Sequence, residues 1–268
     1  MKKIFPSNIF QALLLLLFGP IAAAPFVFIS EKYLKQLSND LTNTIMFILV
    51  CIVIIFFARM INSKRKIDTT YGFKIPRKFW GSILITVLLI VIFQAGINLP
   101  VSKILGYYIN GQSVFSNPFN QIPVFLGAIL LAPLFEELIF RGIILKGFLA
   151  KYTPKMAIIL SGILFCAIHV QPVQLLGALC FGLLSGWIYF KTESLGFCIL
   201  LHCMSNLFSQ LISYALFEAN LSGNTSLPYI YGLYTIPIIC ISVLIVSYLI
   251  TALKKNSRQS KLNHKTLY

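Results

Sequence analysis

Two adjacent carboxylates, Glu136 and Glu137, interrupt the apolar run Ala132-Pro-Leu-Phe-Glu-Glu-Leu-Ile-Phe-Arg141. The chain has only seven acidic residues, and the other five lie in or beside polar stretches. A charged group at mid-membrane costs a few kcal/mol even on lenient insertion scales, so a pair there needs a reason. Helix geometry supplies half of one. Glu137 and Arg141, four residues apart, share a face and can form an ion pair. Glu136 points roughly 100° away and has no partner in its own helix. One carboxylate is structural; the other is the candidate base, because a carboxylate short of water and of counter-charge is well suited to taking a proton. Of three histidines, His264 lies in a charged tail, whereas His169 and His202 sit in the apolar runs Phe165-Cys-Ala-Ile-His169 and His202-Cys-Met-Ser-Asn206. The spacing of His202 and Asn206 puts both on one helix face, able to act on one site.

The elements that must hold these groups are transmembrane helices. The composition is 58% hydrophobic and 11% charged, with a mean hydropathy of +0.86, far from the roughly 25% charged residues of soluble domains. Apolar runs over about 9–29, 42–58, 79–99, 122–140, 156–170, 174–190, 195–217 and 229–252 predict an all-α, polytopic transmembrane helical bundle of about eight spans. Loop 100–121 is expected to be weakly ordered. The net charge of +15 is distributed along the chain by topology and gives no sign of a nucleic-acid partner. All Lys and Arg except Lys32, Lys35 and Lys103 fall in segments that alternate to one side, so both termini are expected to be cytoplasmic. Pro25 directly after Ala22-Ala23-Ala24 disfavours signal cleavage, and the first run is read as a retained helix. The six cysteines all fall in apolar stretches and read as small core residues. Ala178, Gly182 and Gly186 predict a close helix contact. Counted from Lys151, Lys155 and Lys191, Glu136, His169 and His202 lie roughly 16–22 Å from the basic face at 1.5 Å per residue. That depth requires the fourth helix to continue past Arg141.

The ordered set Glu136-Glu137-x-x-x-Arg141, Phe165-x-x-x-His169 and His202-x-x-x-Asn206 resembles the three motifs of the CPBP family, the type II CAAX prenyl proteases and bacteriocin-processing or bacteriocin-immunity proteins. The likeness covers about residues 120–210. It implies an intramembrane endopeptidase in which Glu136 with His169 activates a water while His202 and Asn206 stabilise the oxyanion. Glu137 and Arg141 then support the Glu136 helix, and Phe165 packs beside the site. The resemblance also suggests three parts: N-terminal helices and loops over 1–120, a catalytic core over 121–210, and a last helix with a basic tail over 211–268.

Two histidines and a glutamate also suit a catalytic zinc with an open fourth position, on Glu136, His169 and His202. The chain lacks His-Glu-x-x-His, and Asn206 is a poor zinc ligand, so a metal-free glutamate mechanism is favoured and no cofactor is expected. The expected partners are the lipid bilayer and a membrane-associated peptide or protein, in the plasma membrane of a bacterium. A non-proteolytic immunity or scaffold protein of the same fold is the alternative. A proton-relay transporter ranks below both, because it leaves the ordered motif set unexplained.

Overall fold

A computed structural model describes residues 4–33, 39–67, 71–110, 118–169, 171–221 and 231–265. Eight helices make up nearly all of these residues, with no strand among them: α1 (Ile9–Tyr33), α2 (Asn39–Lys64), α3 (77–110), α4 (118–149), α5 (Pro154–Ala167), α6 (Pro172–Thr192), α7 (Leu195–Leu221) and α8 (Thr235–Lys265). Large apolar side chains such as Ile21, Leu84 and Leu244 are about two-thirds exposed, the pattern of a bundle whose outer surface faces lipid. Among the described residues, six helices are long and apolar enough to cross a membrane, while α1 over Ile9–Pro25 and α5 are shorter apolar helices. At 14 residues, α5 rises only about 21 Å, less than a hydrocarbon core of about 30 Å.

The structure corrects the sequence reading at α3. Helix continues through Pro100 to Asn110, where a loop was expected; the rest of that loop, 111–117, lies outside the described residues. Proline is tolerated because Gln94–Asn98 forms a π turn. Leu99 N–H bonds to Gln94 O, five residues back, so Pro100 falls opposite Ala95 O, and Tyr231 Oη donates to that carbonyl at 2.8 Å. Helix α4 repeats the device. Gly127–Leu131 is a π turn with Ala132 N–H on Gly127 O, which leaves Ala128 O opposite Pro133. Beyond Glu137, α4 widens again into a π stretch over Leu138–Leu145 before closing as α-helix at Leu149. The continuation past Arg141 that the depth estimate required is therefore present.

The α5–α6 hairpin packs through small residues, as Ala178, Gly182 and Gly186 predicted. A Cβ on Gly182 would stand 3.2 Å from Gly162 Cα, and one on Gly186 would stand 3.3 Å from an Ile158 methyl. Helix α6 ends on Glu193, at a left-handed φ of 52° with its N–H on Tyr189 O. Ser194 Oγ then caps α7 through Phe197 N–H. The irregular segment at 71–76 braces this turn: Leu195 N–H donates to Gly72 O at 2.6 Å, and Gly196 closely approaches Phe73 O. Because α7 starts afresh at Leu195, His202 stands seven residues, about 10 Å, above the turn, lower than an unbroken rise from Lys191 would put it.

Candidate active site

Glu137 is fully buried and has three partners. Arg141 Nη1 lies 3.1 Å from its Oε1, an ion pair by distance without hydrogen-bond alignment. His202 Nδ1 lies 2.9 Å from the same oxygen, and Ser185 Oγ donates to Oε2 at 2.9 Å. Arg141 is also fully buried. Its Nη2 donates to Gly182 O at 3.1 Å, a carbonyl brought near by the tight α5–α6 packing. Its guanidinium carbon lies 4.7 Å from the Phe165 ring centroid and 5.9 Å from that of Phe181. Cation–π contact thus accounts for much of the surroundings of a guanidinium whose Nε has no hydrogen-bond partner.

Glu136 has a different environment. Its Oε2 lies 3.8 Å from His202 Nε2, beyond hydrogen-bond length, and it lines a cavity of about 450 Å³. His202 therefore stands between the two carboxylates. Since a carboxylate paired with Arg141 accepts, His202 Nδ1 carries a hydrogen toward Glu137 and Nε2 is turned to Glu136. Phe165 and Phe181 wall the imidazole, with ring centroids 5.7 and 4.4 Å away.

His169 lies just past the end of α5. Its Nδ1 is 2.8 Å from Phe165 O, and a carbonyl only accepts, so Nδ1 is the donor and Nε2 is left with the lone pair. His169 lines the same cavity as Glu136, His202 and Asn206. Phe165 thus does more than pack: its carbonyl sets the His169 tautomer and its ring takes the Arg141 cation. Asn206 Nδ2 donates at 2.9 Å to Ala128 O, the carbonyl that Pro133 cannot serve. One amide hydrogen of Asn206 is used there, and a second remains.

Among the described residues no three His, Cys, Asp or Glu side chains stand together as a metal-binding group. The set Glu136, His169 and His202 is brought to one cavity in this arrangement without converging as ligands.

Sequence reasoning missed the polar wall above these groups. On α7, Ser205, Ser209, Gln210 and Ser213 continue the face begun by His202 and Asn206, and all line the cavity. On α3, Gln94, Asn98 and Ser102 do the same at intervals of four. Gln94 Nε2 donates to Ser205 Oγ at 2.9 Å, and Asn98 Nδ2 to Gln94 Oε1 at 2.7 Å, which joins α3 to α7 by polar contacts. The signal was present as a helical-period polar stripe within apolar runs; attention to ionisable groups alone passed over it.

Residues 118–208 match the family model of Rce1-like proteins, type II CAAX prenyl endopeptidases. This is a protease family, and it agrees with the family that the three motifs resemble. No curated protein and no solved structure matches the chain significantly. The matched segment takes in α4 to the middle of α7. Gln94, Asn98 and Ser102 on α3 contribute to the cavity from outside it.

Proposed function

Starting from a membrane bundle whose residues 118–208 match the Rce1-like protease family, we propose that the chain is an intramembrane endopeptidase of the glutamate type, working in a bacterial plasma membrane with both termini cytoplasmic. The observation that carries this reading is the pairing of an ion-paired Glu137 with a Glu136 free to react, both against His202 at the floor of a polar cavity.

Glu136 takes a proton from a water, His169 Nε2 helps to hold that water, and the water oxygen attacks the peptide carbonyl. His202, its Nδ1–H tied to Glu137, presents Nε2–H in its imidazolium form to the oxyanion. The remaining Asn206 amide hydrogen is the second donor. Collapse of the tetrahedral intermediate breaks the C–N bond, and the proton held by Glu136 passes to the leaving amine. Glu137, Arg141 and Ser185 hold His202 in place and do not touch substrate.

The test is cleavage of a quenched membrane-peptide library by detergent-purified protein. Glu136→Ala is expected to reduce the rate by on the order of 10²–10⁴, and a chelator to leave it unchanged. Loss of activity with the chelator as well would replace this mechanism with a metal-dependent one. An inactive but folded wild type would favour a non-proteolytic immunity or scaffold role.

A further inference from the structure

The cavity has a direction. On α7 its lining runs from His202 to Ser213, away from the Glu193–Ser194 turn and toward the Leu221 end. On α3 it runs from Gln94 to Ser102, toward Asn110. On α6 it begins at Val173 near the helix start and stops at Phe181. On α4 it runs inward from Ala128 to Glu136 and goes no further. All four helices therefore agree: the polar path leads from Glu136 to the face carrying the Asn110, Pro118, Pro172 and Leu221 ends.

The other direction is closed. Below Glu136, Phe140, Ile144, Leu145, Phe148, Leu195 and Leu201 are all within 1% of complete burial, and no residue of the 149–153 or 191–196 turns lines the cavity. That closed end carries Arg59, Lys64, Arg65, Lys66, Lys74 and Arg77, together with Lys146, Lys151, Lys155 and Lys191. The open end has Lys103 as its basic residue among those with described side chains. By the charge asymmetry of membrane proteins, the closed end is cytoplasmic. The short α5 contributes to the opening, because its 14 residues stop at Ala167 and leave Gln171 and Gln174 exposed at the rim.

We propose that the site receives its substrate from the extracytoplasmic face, as a linear peptide segment that is uncharged around the cleaved bond. This rests on the protease reading above. The chemistry of the wall agrees with it. Among the described residues lining the cavity, Glu136 is the only Asp, Glu, Lys or Arg; the remainder of its polar lining consists of amides, hydroxyls and the two histidines. Such a wall can hydrogen-bond a peptide backbone and offers no counter-charge to an ionic side chain. From Ser213 to His202 the path is about 16 Å at 1.5 Å per residue, so about five extended residues at about 3.3 Å each reach the floor. The substrate class is thus an exported peptide, or the outward tail of a membrane protein, with at least that much free chain.

The experiment is side-specific thiol labelling, which does not depend on cleavage. Ser213→Cys and Gln174→Cys would each be exposed to a membrane-impermeant maleimide in spheroplasts and in inverted membrane vesicles. Lys151→Cys serves as the marker for the opposite face, and labelling is scored above that of the parent protein with its native cysteines. The expected result is labelling of both rim cysteines in spheroplasts, where Lys151→Cys stays unlabelled. Labelling of the rim from the Lys151 side, or from neither side, would overturn the inference even if the protein cleaves peptides. Should the rim label as expected in a protein that cleaves nothing, the protease reading fails and the access route stands. In a cleaving preparation, attaching the maleimide to Ser209→Cys from the outside is expected to stop turnover of a neutral peptide, and continued turnover would count against the route.

Discussion

Helices α3 and α4 contain the same irregularity with different consequences. Each makes a π turn, each places a proline five residues after an alanine, and in each the carbonyl left over is met by a side chain from a distant helix or loop. Ala95 O is met by Tyr231 Oη and Ala128 O by Asn206 Nδ2. On α3 the cap comes from beside the start of α8 and serves packing. On α4 the cap is itself a candidate catalytic residue, and the helix goes on through Glu136 and Glu137 into a second π stretch that carries Arg141. The comparison teaches that a π turn before proline is a general way to bring a side chain to a helix inside a membrane. Only its neighbours make it functional.

That contrast can be tested by substitution, with the largest effects expected on α4. Arg141→Met strands Glu137 as a buried charge without its cation, and should destabilise the protein by roughly 3–5 kcal/mol, read as a large loss of thermal stability in detergent. Asn206→Ala should do two things at once. It is expected to lower cleavage by on the order of 10²–10³, the effect of removing one oxyanion donor, and to reduce stability by about 1–3 kcal/mol for the orphaned Ala128 carbonyl. Adding Pro133→Ala to Asn206→Ala separates the two, since an N–H at position 133 can serve Ala128 O. Stability should recover while cleavage stays low. If cleavage recovers too, Asn206 is a staple and not a donor. The smallest effect belongs to α3: Tyr231→Phe should cost about 1 kcal/mol and leave the cleavage rate close to that of the wild type. A Tyr231→Phe rate loss matching that of Asn206→Ala would break the comparison outright.

A second contrast lies between the neighbouring glutamates. One turn of sequence logic identified Glu137 as the partner of Arg141 and Glu136 as the one left over, and the 3.1 Å pair agrees with it. The same logic could not anticipate that His202 would stand between them. That depends on where α7 begins, and a left-handed residue at Glu193 and a brace from Gly72 fix the start of α7. Similarly, the loop expected from residue 100 is helix as far as Asn110, although Pro100 deprives the Ala95 carbonyl of its helix donor. Tyr231, far along the chain, supplied the missing one.

The sequence alone determined the all-α membrane bundle, because apolar runs in lipid must satisfy their backbone internally and helices do so locally. It also determined the Glu137–Arg141 pair, whose partners are one turn apart, and picked out Glu136, His169, His202 and Asn206 as unusual in apolar surroundings. Tertiary structure decided the rest. It set which carboxylate faces a cavity, which nitrogen of each histidine carries the hydrogen, what Asn206 holds, and toward which face the polar path opens. Each of these depends on contacts between helices far apart in the chain, and side-chain spacing along one helix carries no information about the helix opposite.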